Sequence, residues 1–139
     1  MDDQLIAWAA GFFDGEGCVR VERIHNSYRK PFYRLRVSLS QKKVEPLLAI
    51  KQAWGGTIFR HKTGVHELIL MSARAANFLS TVRPYLLVKG AVADHGIAFA
   101  GTMSRHYAGR GGKGVPEHVM AERERLQQCI HRVNSPLTN

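Results

Sequence analysis

The chain has 139 residues, 45% of them hydrophobic, with 20 Lys and Arg against 11 Asp and Glu and a formal net charge of +9. That length makes one domain with a sizeable core, and the basic excess favours a polyanionic partner, most simply nucleic acid. Two cysteines, Cys18 and Cys129, form neither a disulfide framework nor a paired-cysteine metal motif. With an acidic N-terminus that lacks a secretory leader and no stretch long enough to span a membrane, they suit an unsecreted protein of a reducing intracellular compartment, cytoplasm or organelle matrix.

The first element, LIAWAAGFFDGEG at residues 5–17, reads as a helix ending in a glycine turn. Asp2 and Asp3 sit where an N-cap and the helix dipole favour acid. At about 100° per residue two sides separate. Leu5, Ile6, Trp8, Ala9, Phe12 and Phe13 make a bulky side suited to the core. Ala7, Ala10, Gly11 and Asp14 make a small-residue side on which another backbone can come close. The helix is therefore expected between two bodies, delivering Asp14 and Glu16 to the mouth of the contact.

Residues 18–26 read as a strand, with Val19 and Val21 on one side and Arg20, Glu22 and Ile24 on the other. A polar turn follows at 26–31. Residues 32–40 alternate cleanly: Tyr33, Leu35, Val37 and Leu39 face one way, and Phe32, Arg34, Arg36, Ser38 and Ser40 the other. That is a half-buried antiparallel strand with a basic, hydrogen-bonding outer side. A short helix is expected at 45–54, with Pro46 in its first turn, Leu47, Ile50 and Trp54 buried, and Gly55-Gly56 at its end. Residues 57–62 and 65–71 read as a second hairpin around Thr63-Gly64. The pattern does not fix its phase, because residues 68–71 are apolar throughout. Ser72 is expected to cap a helix running to about residue 83, with Ala76, Leu79 and Val82 inward and Pro84 ending it. A further helix is expected at 88–103, then a glycine-rich basic loop at 104–115. A last helix follows at about 116–133, with Val119, Leu126, Ile130 and Val133 on one side.

The order is helix, two strands, helix, two strands, then helices. It predicts a single α+β domain over residues 1–139, with a core at about 3–100. Its four antiparallel strands carry helices on one face and leave the other open and basic. On that open face Arg20, Glu22, Asn26, Arg34, Arg36 and Ser38 are placed to read base edges, since Arg grips guanine bidentately and Asn does the same for adenine. Arg60, His61 and Lys62 on the second hairpin add to the DNA-binding set. Arg110 and Lys113, in the basic loop, read as contacts to the nucleic-acid backbone. The seven histidines show no HExxH and no zinc spacing. His25-Asn26 and His61 do not have supported HNH-nuclease spacing, and His95 reads as a packing residue.

The stretch AAGFFDGEG resembles the LAGLIDADG motif of homing endonucleases: Ala10, Gly11, Asp14 and Gly17 match it directly, and Glu16 takes the place of the second Asp. The element order resembles that family's αββαββα fold, in which the sheet is a saddle lying in the DNA major groove. The resemblance implies that Glu16 binds a divalent metal and that Asp14 is mainly structural. It also implies that Gln41 positions water near the scissile phosphate. RPYLLVK, residues 83–89, resembles the family's stretch ending in an active-site lysine, here Lys89. One motif gives half an active site, so two chains are expected to share one, with Ala7, Ala10, Gly11 and Asp14 at their contact. Twofold symmetry then implies a palindromic or pseudo-palindromic DNA target. The implied activity is that of a magnesium-dependent (or other divalent-metal-dependent) homing endonuclease that cuts both strands across the minor groove and leaves short 3′ overhangs. The alternative is a protein on the same fold that binds intron RNA, as a maturase does, or binds DNA, without cutting.

Overall fold

A computed structural model describes residues 1–26, 29–103 and 115–134, and for residues 26 and 29–31 the backbone alone. Helix α1 (Asp3–Glu16) runs straight into strand β1 (Gly17–Asn26), which pairs with β2 (Arg29–Gln41). Helix α2 (Glu45–Trp54) crosses to the hairpin of β3 (Thr57–Arg60) and β4 (His66–Met71). Helix α3 (Ser72–Val82) and a 3-10 turn (Arg83–Tyr85) lead to α4 (Gly90–Gly101), and α5 (Glu117–Asn134) ends the described chain.

The four strands form one antiparallel sheet in the order β1-β2-β4-β3. Its inner face is the apolar side expected of β1 and β2: Val19, Val21, Tyr33, Leu35, Val37 and Leu39 are all buried. Pairing sets the phase that the second hairpin hides in its sequence. Leu39 sits opposite Leu68 and Val37 opposite Leu70, so both leucines join the core and Glu67, Ile69 and Met71 face outward. Helices α1, α2, α3 and α4 cover the inner face. Phe78 of α3 lies at the centre, edge-on to Phe13 of α1 (5.5 Å) and to Trp54 of α2 (5.0 Å).

Several boundaries differ from the sequence pattern. Strand β2 begins at Arg29, inside the expected polar turn, because the β1 ladder continues to an Asn26–Arg29 pair. The second hairpin is shorter, ending at Arg60 and resuming at His66. Helix α4 starts at Gly90, not residue 88, and the N–H groups of Leu87, Val88 and Lys89 just before it go to Asp14. Ser72 makes no cap hydrogen bond; it is the first residue of α3, at φ +53°, and Met71 holds the cap position. Val133 of α5 is exposed; Leu126 and Ile130, with the buried Arg123, form its inner stripe. Arg123 donates to the Thr102 carbonyl (2.8 Å) and hydroxyl (3.2 Å), tying α5 to the end of α4.

Helix α1 is rotated from its expected setting. Ala9, Ala10 and Phe13 are fully buried, whereas Trp8 is 42% exposed and stacks on the half-buried Phe12. Small residues let the helix axis come close to the sheet, so the alanines go inward and the indole stays out. Ala10 is therefore no part of an exposed face, a correction to the expected contact set. Ala7 and Gly11 do remain exposed.

The junction of α1 and β1 turns on one glycine. Gly17 has an ordinary φ of −93°, but a Cβ there would collide with the buried Phe13 ring and lie 2.7 Å from the Phe13 carbonyl oxygen. Gly11 and Gly15 have nothing within 4 Å of the same position. Gly17→Ala should lower stability by about 2 kcal/mol, at the level of core overpacking. Gly15→Ala should stay within about 0.5 kcal/mol of wild type. Thermal denaturation of the two variants checks the contrast, and equal shifts would refute it.

Candidate active site

The three residues expected to carry chemistry meet at one corner, where α1 enters the sheet. Gly17 pairs with Leu39, so Glu16 and Gln41 lie at the same end of the β1–β2 ladder. Glu16 is exposed and has no hydrogen-bond or ion-pair partner among the described residues. The Gln41 side-chain oxygen accepts the Lys42 N–H at 2.8 Å, which leaves its amide NH2 free to donate. Lys89 comes from a segment 75 residues away in sequence: its Nζ donates to the Asp14 carbonyl at 2.6 Å and lies 6.0 Å from the centre of the Phe13 ring.

Asp14 assembles this corner. Its carboxylate accepts three successive backbone N–H groups, from Leu87 (2.8 Å), Val88 (3.1 Å) and Lys89 (2.9 Å). Partial burial by itself pushes the Asp14 carboxyl up. The hydrogen bonds from Leu87, Lys89 and Val88, helped by the Lys89 charge, outweigh it and hold the carboxyl below its usual range. Both oxygens of Asp14, a residue expected on the partner-facing side with a mainly structural role, are bound within its own chain. Arg83 braces the same turn from outside with a bidentate pair to Asp94 (2.7 and 2.9 Å).

The outer face of the sheet is less uniformly basic than its alternation implied. Glu22 lies 3.6 Å from both Arg34 and Arg36, Arg36 reaches Glu67 at 3.5 Å, and Glu67 accepts from His61 at 3.0 Å. Arg20 is exposed, as are Arg60, His61 and Lys62 at the hairpin end; Ser38 is half-buried on the outer side. Asn26 is described in its backbone alone, and Arg110 and Lys113 lie outside the described residues. His95 is half-buried in α4.

Sequence reasoning missed four features. Glu67 bridges Arg36 and His61, but only strand pairing shows which way it points. His66, opposite Gln41 in the ladder, donates from Nδ1 to the Lys42 carbonyl (2.8 Å) and so holds the chain that follows Gln41. Trp8 is an exposed aromatic on α1. Leu87 and Val88 project beside the end of α1, 93% and 75% exposed; their place in an apolar segment, LLV, was the one available signal.

The same fold occurs in solved proteins of low identity. The homing endonuclease I-CvuI in complex with its target is 21% identical over 96% of this chain and 84% of that one, with a TM-score of 0.79. Archaeal intron-encoded I-Vdi141I complexed with DNA is 17% identical over 100% and 89%, with a TM-score of 0.80. For I-SmaMI bound to an uncleaved DNA target, the match is 18% identical and covers 97% of this chain but 46% of that one, at a TM-score of 0.74. Among curated proteins no sequence matches. The family profile described as LAGLIDADG endonuclease matches residues 9–88. That span is more than half of the chain and takes in the second half of α1, both hairpins and the chain as far as Val88, so the chain belongs to the LAGLIDADG endonuclease family.

Proposed function

We propose that the protein is a site-specific endonuclease acting as a homodimer, which cuts both strands of a long palindromic or pseudo-palindromic DNA target with the help of Mg2+ or another divalent cation. The observation that carries the reading is the corner where Glu16, unpartnered among the described residues, lies at the same ladder end as Gln41, with Lys89 held on the adjoining turn of α1.

The donor set fits a hard divalent cation, which prefers oxygen ligands. Glu16 offers a carboxylate with no competing partner among the described residues, whereas both Asp14 oxygens are taken by backbone N–H groups. One carboxylate is few for such a site, and among the described residues no group of three or more His, Cys, Asp or Glu could hold a metal. Glu16 from each of two chains supplies the pair. When bound, the ion supplies activation of water and neutralisation of phosphate charge. The Lys89 ammonium, fixed on the Asp14 carbonyl, is set to stabilise negative charge developing on the phosphate. The Gln41 NH2 is set to orient the attacking water.

The two chains would meet along the open side of α1. Ala7, Trp8 and Gly11 offer an apolar strip with room for a close backbone, and Leu87 and Val88 extend it. A chain of this length also accounts for about half of I-SmaMI, which fits an assembly of two units. Gly11→Glu tests the face, since the fold leaves open space there. Wild type should sediment as a dimer, and the variant as a folded monomer that no longer cuts. A variant that stays dimeric would place the contact elsewhere.

The reaction is tested by offering the wild-type chain a library of partly symmetric duplexes with Mg2+ and sequencing the cut ends. Symmetric double-strand cuts support the proposal. Duplexes that are bound but never cut, with tight binding to structured RNA, would favour the RNA-binding alternative.

A further inference from the structure

The outer face holds a chain of charges that spans the sheet: Arg34, Glu22, Arg36, Glu67, His61. Arg36 is its middle member. One terminal nitrogen faces Glu22 on β1 and the other faces Glu67 on β4, at 3.6 and 3.5 Å. Those separations attract and orient without forming hydrogen bonds, so the donors of Arg36 stay available. Both carboxylates are largely withdrawn from water, with side chains 25% and 18% exposed, so solvent screens their pull on Arg36 only in part. The cluster is also short of partners: Glu22 Oε1 and Arg34 Nε are buried with no hydrogen bond among the described residues.

We propose that Glu22 and Glu67 are positioning residues that hold Arg36 for reading a G·C pair in each half of the DNA target. The inference rests on the endonuclease reading above. A bidentate arginine needs two acceptors on one base, and in the major groove guanine alone offers them, at O6 and N7. The paired cytosine presents an N4 amine, which a flanking carboxylate accepts. An Arg with a Glu beside it therefore matches both halves of the pair, and a base that presents an acceptor to the carboxylate is repelled. Two arginines and two glutamates sum to no formal charge, so the cluster adds selectivity more than affinity for phosphates.

The test is the preference at each position of a randomised duplex library, for wild type, Arg36→Gln, Glu67→Gln, Glu22→Gln and His61→Gln. Wild type should demand G·C at one position per half-site. Arg36→Gln should lose that preference by roughly ten- to a hundredfold. Glu67→Gln and Glu22→Gln should relax the same position alone and bind unrelated duplex more tightly, with a steeper salt dependence. His61→Gln replaces the ring that supports Glu67 with a more flexible donor and should relax the position more weakly; it carries the test if a glutamate variant fails to fold. An unchanged profile in the glutamate variants, or equal relaxation at all positions, overturns the brace while leaving a selective wild type intact. A wild type that selects no duplex sinks the endonuclease reading and the inference with it.

Discussion

Glu16→Gln is expected to abolish double-strand cleavage while leaving the fold and the DNA complex intact. The substitution keeps the shape of the side chain and removes its charge. In a dimer it removes two charges from one shared site, because each chain brings the same residue. Loss of the metal's carboxylates should slow cutting by at least roughly a thousandfold, about 4 kcal/mol of barrier. Stability should stay within about 0.5 kcal/mol of wild type, since Glu16 is exposed and touches no partner among the described residues. Binding should hold or tighten, because a negative charge leaves the neighbourhood of the phosphates. Single-turnover cutting of the selected duplex with Mg2+, paired with a gel shift in EDTA, measures both arms. A variant that cuts within tenfold of wild type would remove Glu16 from the chemistry.

Asp14→Asn should have the largest effect on the fold. The carboxylate serves three N–H groups from a segment 73 to 75 residues away in sequence. An amide offers one acceptor oxygen and turns an NH2 toward donors. Hydrogen bonds to a charged group contribute about 1.5–3 kcal/mol each when buried. Asp14 is partly exposed, so a total loss of about 2–3 kcal/mol is expected, or about 6–10 °C in melting temperature. Cutting should fall further than unfolding alone explains, because Lys89 is displaced. The effect also has a pH signature. The Asp14 carboxyl titrates below its ordinary 3.8 in the fold. Its stabilising contribution is therefore fully present above that value and is lost as pH falls below it, through the lowered value. Melting curves taken at successively lower pH should show wild type losing its margin over Asp14→Asn in that acid range. Parallel curves would mean that the three hydrogen bonds stabilise nothing.

Most of the fold can be read from local chemistry. The alternation of residues 32–40 gives β2 its faces, and Pro46 with Gly55 brackets α2 because proline suits a first turn and Gly55, at φ +85°, suits an end. Where both sides of an element are apolar, the pattern loses its direction. Helix α1 offers alanines and aromatics on neighbouring sides, and only the space above the sheet decides that Ala10 goes in and Trp8 out. The site divides the same way. Glu16, Gln41 and Lys89 stand out because their neighbours follow a known motif. The hydrogen bonds from residues 87–89 to Asp14 and the ion pair of Glu67 with Arg36 join segments far apart in sequence, and no periodicity encodes such a meeting.

The side-chain amide of Asn134 donates to the Val19 carbonyl at 2.6 Å, so α5 occupies part of the outer border of β1. The opposite border, β3, is four residues long and runs into Arg60, His61 and Lys62. A partly covered margin on one side and a short, charge-guarded one on the other make it harder for a second copy to join the ladder strand to strand. Open-ended growth through the sheet edges is thereby disfavoured at both margins. A protein that must find one address in a long polymer gains from that restriction, because chains tied up in open-ended stacks would never reach the DNA.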